Sequence, residues 1–211
     1  MKKFSLIIVM FTLGLNGYTQ EVNQENNNKN PNNIQTIFKY PKTVTTYCTF
    51  TAKYGEFKNL QTWDFGMRMG AIADHIFGLG FVGYGIIQTP LYNQTLQEDY
   101  SLEGGYGGIY FEPILFGKMP IHASFPILIG GGGVRYEPSS SVNNSWSSSQ
   151  SKKSMFFVIE PGAEVELNLF SHLRLALGVH YRQTSDIDLE YREPDALNGL
   201  SGSISLKFGT F

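Results

Sequence analysis

Leu173-Arg174-Leu175-Ala176-Leu177-Gly178-Val179-His180-Tyr181-Arg182 is the stretch that decides the fold. Read in steps of two, Leu173, Leu175, Leu177, Val179 and Tyr181 share one face, and Arg174, Ala176, Gly178, His180 and Arg182 share the other. That is the period of a β-strand whose two sides meet different surroundings. Immediately upstream, Met155, Phe157, Ile159, Ala163, Val165, Leu167 and Leu169 alternate with Glu160, Gly162, Glu164, Glu166 and Asn168. The short connection at 170–172 makes the two runs a hairpin. A turn centred near Ser171 sets Glu160 opposite Arg182 and Asn168 opposite Arg174.

The design recurs in both directions along the chain. Trp63, Phe65, Met67, Met69 and Ala71 stand against Asp64, Gly66, Arg68 and Gly70, and Ile121, Ala123, Phe125, Ile127 and Ile129 against His122, Ser124, Pro126 and Gly130. Near the end, Leu200, Ile204, Leu206 and Phe208 stand against Ser201, Ser203, Ser205 and Lys207. Strands are expected near 43–54, 61–73, 76–88, 100–112, 121–136, 154–169, 173–186 and 199–211. Their connections alternate between short links, near 74–75, 117–118 and 171–172, and long polar ones at 89–99, 137–153 and 187–198. The first long-side loop, 55–60, is short. Alternating links collect at opposite ends of an antiparallel, up-and-down β-barrel of about eight strands, the layout of outer-membrane barrels.

Composition agrees. Among 211 residues there are 23 glycines, 14% aromatic and only 16% charged residues, which suits closely packed strands. A net charge of -2 gives no electrostatic reason to expect nucleic acid as a partner. The lone Cys48 excludes an intramolecular disulfide framework and any multi-cysteine metal site. At the start, Lys2 and Lys3, the apolar run 4–15, and Gly17 and Thr19 before Gln20 have the layout of a cleaved secretory signal. The run is shorter than the ~20 residues a helix needs to cross a bilayer. The expected organisation is therefore a signal peptide at 1–19, a flexible Asn/Gln-rich leader at 20–42, and a barrel domain at 43–211.

Period two alone fits both a soluble, lipocalin-like barrel with an apolar interior and a transmembrane barrel with an apolar exterior. The polar phase separates them. It carries many small residues, among them Gly66, Gly70, Ala176, Gly178, Gly202 and 130–132, which fit a narrow interior. It also carries charges of both signs: Asp64 and Arg68, then Glu160, Glu164 and Glu166, then Arg174, His180 and Arg182. These eight residues are expected to form a structural charge network inside the barrel, the plugged interior expected at about eight strands. The apolar phase, with Tyr54, Trp63 and Tyr181 near strand ends, would then face outer-membrane lipid. If Leu175, Leu177, Phe157 and Ile127 pointed inward, a soluble exported carrier of a small apolar ligand would replace this reading.

Three segments carry a family resemblance: 102–108 (LEGGYGG), 129–133 (IGGGG) and 157–162 (FVIEPG), with 74–85 (DHIFGLGFVGYG) in the same style. They resemble small outer-membrane barrel proteins of the Bacteroidota, of the OmpA/OmpX-like eight-stranded kind, over roughly 43–211. The resemblance implies fold and location, and brings no catalytic residues with it. The chain also ends in Phe211, which is similar to the aromatic ending of many outer-membrane barrels and implies the barrel-assembly machinery as a partner through the last strand. Phe211 is nevertheless out of phase with Leu206 and Phe208.

No motif supplies a chemistry. Gly78, Gly80 and Gly83 have the spacing of a dinucleotide fingerprint, yet a strand-like run continues after them where a helix is required. The run 130–133 lacks the lysine of a phosphate loop. His75 and His172 fall in turns and His122 and His180 on separate strands, without metal-ligand spacing. No catalytic residue, cofactor or metal site is assigned. The readings carried forward are a non-enzymatic outer-membrane barrel serving envelope structure or surface-loop interaction, the soluble carrier, and a membrane-embedded lipid-modifying enzyme built on His122 or His180 with a loop serine.

Overall fold

The computed structural model describes residues 43–57, 60–88, 91–93, 98–138, 153–188 and 193–211; the expected signal segment and leader lie outside them. Ten strands follow in chain order: β1 (Val44–Phe57), β2 (Leu60–Ala73), β3 (Phe77–Gln88), β4 (Leu91–Asn93), β5 (Glu98–Leu115), β6 (Ile121–Ser124), β7 (Ile127–Pro138), β8 (Lys153–Phe170), β9 (Leu173–Thr184) and β10 (Gly199–Gly209). Every pairing is antiparallel, and β1 pairs with β10 from Tyr47↔Gly209 to Gly55↔Ser201, which closes the sheet on itself. Among the described residues no helix is long and apolar enough to cross a membrane.

The ring has eight staves. β4 is a short flap on β5, and β6 and β7 are one stave interrupted at Phe125 and Pro126. Their register is unbroken, since Ile114↔Ser124 and Phe111↔Ile127 pair at a constant offset on β5. Pro126 has no N–H to give the ladder. Its carbonyl instead accepts from Gly162 N at 2.7 Å. The fifth expected strand is therefore a single wall element with a break the alternation did not mark.

The β2–β3 link is a two-residue turn with positive φ at Asp74 (52°) and His75 (59°), closed by Ile76 N donating to Ala73 O at 3.0 Å. Positive φ at both central residues matches the twist of the flanking strands. Asp74 Oδ1 also accepts from Thr43 N at 3.0 Å, tying the first strand to that turn. The turns after β2, β5 and β8 lie at one end of the barrel, here the turn end. The links after β1, β3, β7 and β9 lie at the loop end.

Outside and inside separate as the alternation requires. Phe50, Phe65, Phe81, Phe157, Leu177, Val179 and Leu206 are exposed on the outer wall, and Leu175 and Ile127 stand in the same outward phase. The soluble-carrier reading needed these side chains inside, and their outward direction overturns it. Tyr54, Trp63 and Tyr181 are exposed at the loop-end termini of their strands, with the Tyr54 and Trp63 rings 5.0 Å apart. One expectation about small residues fails. Gly131 and Gly202 face outward with the apolar phase, because glycine has no side chain to mark which phase it belongs to.

Candidate functional site in the barrel interior

Inward-pointing side chains from every stave fill the lumen. Five carboxylates (Asp64, Glu112, Glu160, Glu164 and Glu166) meet five cations (Lys53, Arg68, Arg174, Arg182 and Lys207), together with His122 and His180, and none of the twelve is more than 3% exposed. All eight interior residues read from the alternation point into the lumen. The structure brings them together with Lys53, Glu112, His122 and Lys207, which the sequence reading did not assign to the network.

At the loop end Arg182 is the hub. Its Nε donates to Glu160 Oε2 at 3.0 Å and its Nη2 pairs with Asp64. Tyr106 OH donates to Glu160 Oε2 at 2.9 Å, and Lys53 pairs with the same carboxylate from the far side of the lumen. The Arg182 guanidinium lies 4.4 Å from the Tyr106 ring centre and 4.8 Å from that of Phe57. Glu160 and Arg182 are cross-strand neighbours, flanked by Ile159↔Gln183 and Gly162↔His180.

Midway, Arg68 Nη2 reaches both oxygens of Glu164 at 2.9 and 3.0 Å. Toward the turn end Lys207 Nζ bridges Glu112 Oε1 at 2.9 Å and Glu166 Oε1 at 2.6 Å. Ser124 Oγ donates to Glu166 at 2.8 Å, and Tyr47 OH, itself bonded to Tyr110, donates to Glu112. Asn168 and Arg174 are register partners, yet their side chains part. Asn168 donates to Met119 O at 3.1 Å, while Arg174 approaches Glu166 at 3.6 Å.

Phe211 completes this end. β10 stops at Gly209, and the Phe211 ring turns back under the barrel, 6.4 Å from the Tyr47 ring and 3.7 Å from the Arg174 guanidinium. A guanidinium held against a ring away from water is worth up to about 2 kcal/mol. Phe211→Ala is expected to lower unfolding stability by roughly 1–2 kcal/mol in a urea titration of the folded barrel; an unchanged midpoint would mean the ring is a bystander.

Among the described residues, apolar groups gather at the loop end. Within the β9–β10 link Ile187, Ala196 and Leu197 are buried in the interior apolar cluster, Phe57 is buried at the end of β1, and Asn198 Oδ1 accepts from Thr184 N at 2.6 Å. The described part of this link thus turns its apolar side chains inward. The segment 139–152 lies outside the described residues.

Two chemical readings can be weighed on this geometry. His180 Nε2 lies 2.9 Å from Ser203 Oγ and 3.4 Å from Glu164 Oε1, so hydroxyl and carboxylate share one ring nitrogen. A nucleophilic relay places them on opposite nitrogens. The ring also faces the lumen, on the far side of the wall from the apolar surface. Glu112, Glu164 and Glu166 each bring an oxygen within 4.8 Å of the others, near enough to hold a metal ion. The Lys207 ammonium bridges two of them and Arg68 holds the third, so the cations among these carboxylates are the chain's own.

No family model matches this chain and no curated protein matches it. Solved structures do share its shape. Neisserial surface protein A (NspA) superposes with a TM-score of 0.54 at 8% identity, over 80% of this chain and 97% of that one. The N-terminal β-barrel domain of Pseudomonas aeruginosa OprF gives 0.47 at 8% identity over 78% and 96%. Ail, the attachment invasion locus protein of Yersinia pestis, gives 0.42 at 9% identity over 79% and 95%. The likeness to NspA supports the barrel fold and is confined to it.

Proposed function

We propose that this chain is a non-enzymatic outer-membrane β-barrel, exported through a cleaved signal at 1–19, whose interior is a structural plug and whose work lies at its surface. One observation carries the reading: a closed lumen in which five buried carboxylates are matched by five buried cations, inside a wall whose outer face is apolar. Charges so paired offset one another, and at eight strands side chains of this size fill the lumen. An apolar exterior is costly in water but matched to hydrocarbon. In this placement the turn end faces the periplasm and the loop end faces outward. The last strand is the element offered to the assembly machinery, and loops 89–99, 137–153 and 187–198 are the surface for partners.

Cell fractionation is expected to recover the protein with the outer membrane, with a shift in gel mobility on boiling. In planar bilayers the purified barrel should give no stepwise conductance. Discrete current steps would overturn the plugged interior, and a mature protein that stays soluble without detergent would overturn the location.

A further inference from the structure

The seam where β1 meets β10 stops short at the turn end. β1 pairs with β2 down to Val44↔Ala73, whereas its ladder with β10 ends at Tyr47↔Gly209. Val44, Thr45 and Thr46 therefore extend past the last rung. Residues 209–211 occupy that step. Gly209 N donates to His172 O at 3.1 Å, in the β8–β9 turn, and Thr210 N donates to Thr46 O at 3.3 Å, on β1. Consecutive backbone N–H groups thus hold opposite sides of β10, one toward β9 and one across the seam.

The Phe211 ring straddles the same line. The Arg174 guanidinium, 3.7 Å from the ring centre, belongs to β9, and the Tyr47 ring, with centres 6.4 Å apart, belongs to β1. β1 and β9 are the two neighbours of β10, so the seat of the ring lies half on each side of the seam. Tyr47 is fixed in turn from inside. Its hydroxyl donates to Glu112, and the Lys207 ammonium lies 4.8 Å from its ring centre. A Cβ at Gly209 would fall 2.6 Å from Thr46 O, 2.7 Å from Tyr47 Cβ and 3.0 Å from Phe211 Cζ. Glycine is needed at this step because β1 and the returning ring both press on it.

Half of this seat is missing from an open sheet. With β1 undocked, Phe211 has Arg174 to stack on, but the Tyr47 ring and the Thr46 carbonyl arrive only with the strand that closes the ring. Contacts made only in the completed ring slow its opening and leave its closing unchanged. We propose that residues 209–211 are a latch on the seam, formed after β1 docks on β10, which sets how long the closed ring stays closed. The plug described above fills the lumen; the latch acts on the wall.

The test uses the full mature protein folded in dodecylphosphocholine micelles, with the closed ring followed by its gel mobility without boiling. Phe211→Ala is expected to open about tenfold faster in urea, and to close on dilution within about twofold of wild type. Loss of ordinary packing would also speed opening, so a second arm isolates the seam. Cys48 and Phe208 are register partners across it in the outward phase, and Cys48 is the lone cysteine. Cross-strand partners stand close enough for a disulfide, so Phe208→Cys allows a single bond that pins the seam. In the oxidised Phe208→Cys protein, adding Phe211→Ala should change the opening rate less than about twofold, and reduction should restore the effect of about tenfold. If the disulfide does not form, amide exchange decides. Phe211→Ala should then speed exchange in the β1–β10 ladder about tenfold and leave the β2–β3 ladder unchanged. An acceleration that survives oxidation, an equal loss in closing rate, or exchange raised equally in both ladders overturns the latch. So does an unchanged opening rate.

Discussion

Arg182→Met is expected to destabilise the barrel by about 3–5 kcal/mol, the cost of removing one partner from a buried ion pair. The loss falls on Asp64. Glu160 keeps Lys53, whereas Asp64 has among its described partners only Tyr106 OH at 3.3 Å, whose single proton is also within reach of Glu160 at 2.9 Å. A buried carboxylate with so little to replace its hydration is the expensive residue of the substitution. Two companions make the argument specific. Asp64→Asn in the Arg182→Met background should recover much of the loss by removing the uncompensated charge. Arg174→Met should cost less than Arg182→Met, because Glu166 retains Lys207, His122 and Ser124. Urea titrations of each variant in the same detergent or lipid would measure all three. If Arg182→Met unfolds at the wild-type midpoint, the network adds nothing to stability.

The second large effect is expected at Gly132. Valine there would drive its Cβ to 2.6 Å from Phe156 Cζ and from Tyr106 Cβ, and to 2.5 Å from Gly105 O. Two of these atoms belong to buried aromatic side chains and the third is backbone, so relief requires the wall to shift. Overpacking of this kind costs about 1–3 kcal/mol. The upper part of that range is expected, because moving Tyr106 also disturbs its bonds to Glu160 and Arg182. Gly83→Val is the control, with open space at its Cβ and an expected change within about 0.5 kcal/mol. Parallel titrations of the two variants give the comparison. Equal destabilisation would contradict the assignment of these glycines to opposite faces.

How much of this was legible in the sequence follows from where each signal lives. Alternation is local, so strands such as 173–182 and the two faces they create could be read directly. So could the Glu160–Arg182 pair, because a short hairpin fixes the register of its own two strands. Lys53 and Glu160 are separated by 107 residues and meet across the lumen, with no shared turn to place them. Glu112 and Lys207 have the same problem, since closure into a ring brings them together and no linear pattern records closure. The glycines hid their face for another reason: a residue with no side chain belongs to either phase, and only the register of three neighbouring staves aligns Gly83, Gly107 and Gly131.

The seam between β1 and β10 has a consequence for how the barrel is completed. The staves from β2 to β9 carry all five interior carboxylates but only three of the cations, Arg68, Arg174 and Arg182. The other two, Lys53 and Lys207, ride on the first and last strands of the ring. The staves β2 to β9 without their two neighbours therefore have an acidic inner surface with two charges uncompensated, and docking β1 and β10 onto them is what brings it to neutrality. Closure is in this sense self-verifying: an intermediate lacking either edge keeps an electrostatic reason to recruit it, and a ring closed without one of those strands would seal unmatched carboxylates inside.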